Sequence, residues 1–289
     1  MKKLFAVLFL LNLFILPSYS IELFKKSPKY EVKITLKNLD KAFYKQDIEK
    51  IKTFYDSNYK SADGFDLDKT IQMLKKTYET YENISHNSKI ISISADDEWA
   101  LVQIKDRTKA NIYPIEDKKL KEEKKGTLKS VSIYNVYLKK ECDSWKIISD
   151  EILSEEASLK YGIANKLDMS LVSPLKIQNG QEYDVALKIE KPKDIVALAS
   201  ISSEEIVYPT YDYQEKFRKI PEMGELERVV KANDKNLNEY AVASIGLTKV
   251  SLNEEQTKAK IEVLGMAYLM KRVNMDNSKK QDNILVENN

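Results

Sequence analysis

Few side-chain types in this chain could do chemistry, and their spacing excludes more than it offers. His86 is the sole histidine and Cys142 the sole cysteine. One histidine rules out H-E-x-x-H and histidine-rich zinc sites, although a Ser-His-Asp constellation needs only one. His86 lies in Asn83-Ile84-Ser85-His86-Asn87-Ser88, which reads as a polar loop between a helix and a strand, where an exposed and silent imidazole is expected. Cys142 lies in the polar stretch Lys139–Ser144 between two apolar runs, the pattern of a hairpin turn. The seven glycines never stand closer than eighteen positions apart, so phosphate-cradling glycine loops and the G-x-S-x-G elbow cannot occur. Asp63, Asp66 and Asp68 could offer oxygens to calcium, but Phe65 and Leu67 interrupt the spacing, and turn formation and helix capping account for all three. No metal and no cofactor is implied. Any chemistry would rest on carboxylates and on the 17 tyrosines.

The chain opens with Lys2-Lys3, the apolar run Leu4–Leu16, Pro17 and the small-residue site Ser18-Tyr19-Ser20. This is the pattern of a cleaved export signal over residues 1–20, and the run is short for a membrane span. Ile21 is the expected first mature residue, and the expected location is periplasmic or extracellular. An uncleaved anchor is the rival reading. Loss of Lys2 and Lys3 takes Lys+Arg from 47 to 45, equal to Asp+Glu, so nothing global attracts nucleic acid or an anionic membrane. With a single cysteine no internal disulfide can form, and packed cores must hold the fold. Length divided by about 150 suggests two domains.

Along the chain, Val32, Leu36, Leu39 and Phe43 recur at helical intervals over Tyr30–Phe43. Asp47 can cap a second helix, and Asp66 or Asp68 a third with Leu67, Ile71, Leu74 and Tyr78 along its face. The period then changes to that of strands over Lys89–Ala95, Trp99–Ile104, Leu128–Leu138 and Trp145–Ile152, with a solvated loop at Glu116–Gly126. Three helices followed by long antiparallel strands predict an α+β domain.

This order resembles the nuclear transport factor 2-like superfamily, the cone-shaped fold shared with SnoaL-like and ketosteroid-isomerase-like proteins. The resemblance is carried by the Leu36–Phe43 helix, Phe54-Tyr55-Asp56-Ser57-Asn58-Tyr59, the Asp63-Gly64 turn and the closing strand Trp145-Lys146-Ile147-Ile148, and spans about residues 29–163. It implies three helices packed on a curved antiparallel sheet around a conical pocket, and no particular activity. Tyr55, Tyr59, Tyr78, Trp99, Tyr134 and Trp145 are the aromatics expected in that pocket. Asp150 is the candidate acid, since family enzymes place a carboxylate there. Strict alternation argues against it, because Asp150 faces outward if Trp145 and Ile147 face inward. A pocket filled by its own aromatics is the first expectation, so no catalytic residue is assigned.

Ser154–Leu167 reads as a connector. Beyond it, short β-prone segments from Leu175 to Val273, separated by turn signals such as Asn179-Gly180, predict an all-β sandwich of immunoglobulin-like type over 164–273. Tyr208, Tyr211 and Tyr213 cluster beside Pro209, where packing of a loop on the sandwich is favoured over a binding patch. Residues 21–28 form an extension and 274–289 a polar tail. Three functions stay open. The first is a non-catalytic binding or assembly protein of the bacterial envelope, taking a small hydrophobic ligand or a protein partner and free to pair as a homodimer through the sheet face. The others are an enzyme of isomerase, dehydratase or hydrolase type using the cone, and a surface adhesion module.

Overall fold

A computed structural model describes residues 27–113, 125–208, 216–252 and 259–276. The export signal, the extension as far as Lys26, most of the Glu116–Gly126 loop, Tyr211, Tyr213 and the tail from Asn277 lie outside the described residues. Helix α1 (Pro28–Tyr44) starts two residues before the expected Tyr30, within the expected extension, because Ser27 caps it and Pro28 suits the first position. Asp47 caps α2 (Ile48–Lys52), and Asp66, not Asp68, caps α3 (Leu67–Thr80). None of the described helices is long and apolar enough to cross a membrane.

The strands are β1 (Glu82–His86), β2 (Lys89–Ala95), β3 (Trp99–Ile112), β4 (Gly126–Glu141), β5 (Ser144–Gly162), β6 (Met169–Val172), β7 (Lys176–Gln178), β8 (Glu182–Ile189), β9 (Val196–Glu205), β10 (Arg218–Lys219), β11 (Glu225–Lys231), β12 (Glu239–Leu252) and β13 (Ala259–Asp276). Most of them join one large, mainly antiparallel sheet in the order β1-β3-β4-β5-β13-β12-β9-β10, with β2 beside β3 and β7 beside β13. A second sheet has the order β11-β8-β6.

The expected connector is not one. Strand β5 runs through Ser154–Leu159 to Gly162, pairing with β4 along its length and with β13 from Glu156 onward, and only the 3₁₀ turn Ile163–Lys166 and Leu167-Asp168 separate it from β6. The segment expected to begin the tail is likewise strand through Asp276, where β13 pairs with β7. His86 belongs to a strand, opposite Thr108, and not to a loop.

Directly opposed residues in an antiparallel pair point to the same face. Ala100, Leu138 and Ile147 thus share a face with Val102 and Val136, and against it pack Val32, Leu36 and Leu39 of α1, Ile51 of α2 and Ile71 of α3. Followed across β5 into β13, that face carries Tyr268, Met270 and Arg272. Ala267, Leu269 and Val273 point the other way and meet Val185, Leu187 and Ile189 of β8 in a second core. One sheet therefore holds the helices on one face at one end and the three-stranded sheet on the opposite face at the other.

Candidate functional site

Two register shifts in β5 decide where its acids point. Leu138 opposes Ile147 and Tyr137 opposes Ser149, so Ile148 is an extra residue; Leu153 is another, between Ile152 and Ser154. Each bulge reverses the alternation. Asp150, which strict alternation turns outward, is turned inward by the first bulge, opposite Val136, and the second bulge restores the original parity, so that Glu155 lies on the same face opposite Ser132. The expectation of an outward Asp150 is corrected on this ground.

The free edge of β5 beyond the bulge is covered by the segment after α2, through hydrogen bonds from Asp56 N to Ile147 O, Lys60 N to Ile148 O and Ala62 N to Asp150 O. That segment delivers Tyr59, whose hydroxyl donates to Asp150 Oδ2 at 2.6 Å. Tyr55 meets the Tyr59 ring edge-on, with centroids 4.9 Å apart. Burial, then the charge of Asp150, pushes both phenols above their ordinary range. Asp150 itself is raised, chiefly by burial and further by Asp63, against the opposing Tyr59 hydrogen bond and Arg272.

Of the six expected pocket aromatics, Tyr55, Tyr59, Tyr134 and Trp145 come together in the core under the helices. Trp145 is fully packed, its indole N–H donating to Glu31 of α1 at 3.1 Å. Tyr78 lies at the margin of that core, donating to Phe43 O at 3.3 Å, and burial pushes it up to about 12. Trp99 does not join them. It opposes Lys139 on the outer face, is 48% exposed, and carries the Lys139 ammonium 5.4 Å from its ring centroid.

Beside Asp150 stands a polar junction that nothing in the spacing of the residues announced. Arg272 of β13 is buried, and its guanidinium donates to both oxygens of Asp63 at 2.6 and 3.0 Å. Asp63 also accepts from Asn238 at 2.7 Å, and Arg272 donates to Asn274, which donates in turn to Leu153 O. Tyr240 donates to Glu155 at 2.5 Å. Burial works against the Arg272 charge, but Asp63, Tyr240 and Glu155 together outweigh it and raise the guanidinium above its ordinary value. A lone arginine inside the largely apolar stretch Met266–Met275 is the one signal, by residue type, that could have pointed to a buried pair.

Two of the spaces that open to solvent lie at the helical end of the large sheet. A groove of about 600 Å³ on the outer sheet face is lined by Trp99, Leu101, Tyr137 and Ile148 among others. A cleft of about 240 Å³ lies between α1 and β2–β4, with Leu36, Leu39 and Phe43 on one wall, Ile90 and Ile104 on the other, and Tyr134. Asp150 lines neither.

Next to that cleft, Ser88, His86 and Asp106 do gather, but not as a triad. Ser88 donates to Asp106 Oδ1 at 2.6 Å, whereas His86 Nδ1 is 2.9 Å from Thr108 Oγ1. The serine thus addresses the acid and not the imidazole, so no base stands over a nucleophile. Burial acts to raise Asp106, yet hydrogen bonds from His86, Ser88 and Thr108 together hold it below the usual carboxylate range. Cys142 is an exposed free thiol in its turn, and no cluster of three or more metal-ligating side chains occurs among the described residues.

No family model and no curated protein matches this chain. Among solved structures, a conserved protein from Planctomyces limnophilus is similar at 8% identity and a TM-score of 0.36, over 42% of this chain and 91% of that one. A putative dehydratase of the NTF2-like family from Streptomyces avermitilis is similar at 13% identity and a TM-score of 0.36, over 43% of this chain and 94% of that one.

Proposed function

We propose that this chain is an exported, non-catalytic binding or assembly protein of the bacterial envelope. Its first half is read as a cone of the nuclear transport factor 2-like kind and its second as a sandwich of immunoglobulin-like kind. For the first, the support is three helices laid on one face of β2–β5 around a core containing Tyr55, Tyr59, Tyr134 and Trp145. For the second, it is the strand order: β6, β8 and β11 in one sheet and β9, β12 and β13 in the other, the arrangement of strands A, B, E against C, F, G. Export rests on the leader pattern at residues 1–20.

The observation that carries the binding reading is the separation of acid from access. Asp150 is part-buried and engaged by Tyr59 beside the aromatic core, while the solvent-open cleft and groove, whose linings mix apolar side chains with a few charged and polar ones, do not include it. The cleft is sized for a small hydrophobic ligand. The outer groove offers Trp99, Leu101 and Tyr137 to a protein partner, a second copy included.

The enzyme reading has one observation in its favour, an inward Asp150 whose carboxyl is raised. The two are separated by incubating the mature chain with a panel of small apolar compounds, using protein NMR shifts for binding and the compounds' own NMR spectra for conversion, isomerisation included. Binding without conversion, weakened by Tyr134→Ala, is the expected result. Conversion that disappears in Asp150→Asn would establish the enzyme instead.

A further inference from the structure

We propose that the cleft between α1 and β2–β4 binds a compact apolar monocarboxylate. This rests on the binding reading above and names the ligand class for one of its two surfaces. At about 240 Å³ the cleft is smaller than the roughly 300–1,000 Å³ typical of sites for drug-sized ligands, so it suits a single ring or a short chain. Leu36, Leu39 and Phe43 face Ile90 and Ile104 across it and supply apolar contact on both sides.

The charge of the lining selects the head group. Lys33 and Lys37 stand one turn apart on α1, both exposed, and neither has an ion-pair partner among the described residues. Asp40 is the only acid in the lining; it adjoins Lys37 at a spacing of three residues but stands about 10 Å along the axis from Lys33. The nearby acid Asp106, held by Ser88 and Thr108, keeps its negative charge and disfavours a carboxylate on the strand side of the cleft. A carboxylate on the Lys33 side of the lysine pair therefore meets cations at the point farthest from Asp40, whereas a second carboxylate would have to lie between apolar walls or against Asp40. Tyr134 adds a hydroxyl that makes no hydrogen bond among the described residues and, kept neutral by burial, can donate one to the ligand.

The test is NMR titration of the mature full-length chain with phenylacetate and with phenylacetamide, its neutral match. Phenylacetate should give saturable shifts in residues 33–43 and at Tyr134. Because an exposed ion pair is worth up to about fivefold in affinity, Lys33→Gln combined with Lys37→Gln should weaken phenylacetate about fivefold or more and leave phenylacetamide within about twofold. A melting curve unchanged from the parent confirms that these surface substitutions leave the fold intact. Equal affinity for acid and amide, or a silent cleft, overturns the proposal. Shifts confined to Trp99, Leu101 and Tyr137 overturn it while leaving the binding reading in place, and conversion of phenylacetate that is lost in Asp150→Asn overturns both.

Discussion

Asp63 and Arg272, separated by 209 residues in sequence, form a two-armed ion pair in which both side chains are almost wholly out of solvent. The pair joins the turn before α3 to the far end of β13, and so fastens the helical end of the sheet to the strand that closes the second core. Three carboxylates, Asp63, Asp150 and Glu155, gather around this one guanidinium. The excess of acid is met by two tyrosine donors and by the raised carboxyl of Asp150.

Removing one partner of such a pair strands the other without solvent. Arg272→Met should therefore cost about 3–5 kcal/mol, and adding Asp63→Leu should recover most of it, because a buried pair replaced as a unit is close to neutral. Urea unfolding of the parent should show one transition. In Arg272→Met the helical end should loosen first and give two.

Asp150 has a folded-state carboxyl raised above its unfolded value, so its contribution runs opposite to that of an ordinary paired aspartate. The stability linked to it is fully present below the unfolded value and is lost as pH rises through the folded one. Asp150→Asn should thus be as stable as the parent or more so at pH 7, with the difference closing as pH falls toward the ordinary carboxylate range. Tyr59→Phe, which removes the donor that favours the ionised form of Asp150, should cost about 1 kcal/mol or more, and the cost should grow as pH rises. Denaturation of the three proteins at several pH values checks both signs.

Gly162 ends β5 opposite Gly265 of β13, with φ of +56° and the Leu264 carbonyl oxygen only 2.3 Å from where a Cβ would stand. Gly162→Ala should cost about 1–3 kcal/mol by forcing the two strands apart and straining the backbone. A melting temperature within a degree of the parent would mean that the strands do not meet this closely.

The leader pattern predicts cleavage after Ser20. N-terminal sequencing of protein purified from the envelope should read Ile21 first. An intact Met1 would make the chain an anchored protein.

What was legible in the sequence is what repeats with a fixed period or sits at an element's end. Val32, Leu36 and Leu39 announced α1 and Asp47 its successor's cap, while the cap of α3 was legible only as Asp66 or Asp68. Strand β5 was cut short because the Ile148 and Leu153 bulges break its alternation twice, so an acid on the core face looked like one on the solvent face. Trp99 was misplaced for the converse reason. A tryptophan reads as core by type, but it stands in register with Lys139 on the outer face. The Arg272 partner could not be read at all, since nothing local to Asp63 distinguishes a turn-forming aspartate from the acceptor of a distant guanidinium.

Whether the Asp150 carboxyl is held as a strut or offered to a substrate decides between binding and catalysis, and carbodiimide and amine labelling of the folded mature chain, read by peptide mass spectrometry, distinguishes the two. Asp68 and Glu222, both exposed, serve as internal references. The expected result is labelling of Asp150 more than tenfold slower than either reference, accelerated in Tyr59→Phe, where its hydrogen-bond donor is gone. Labelling of Asp150 in the parent at the rate of Asp68 would mean that the core under the helices stands open to solvent at its acid, and would contradict the binding account in favour of catalysis.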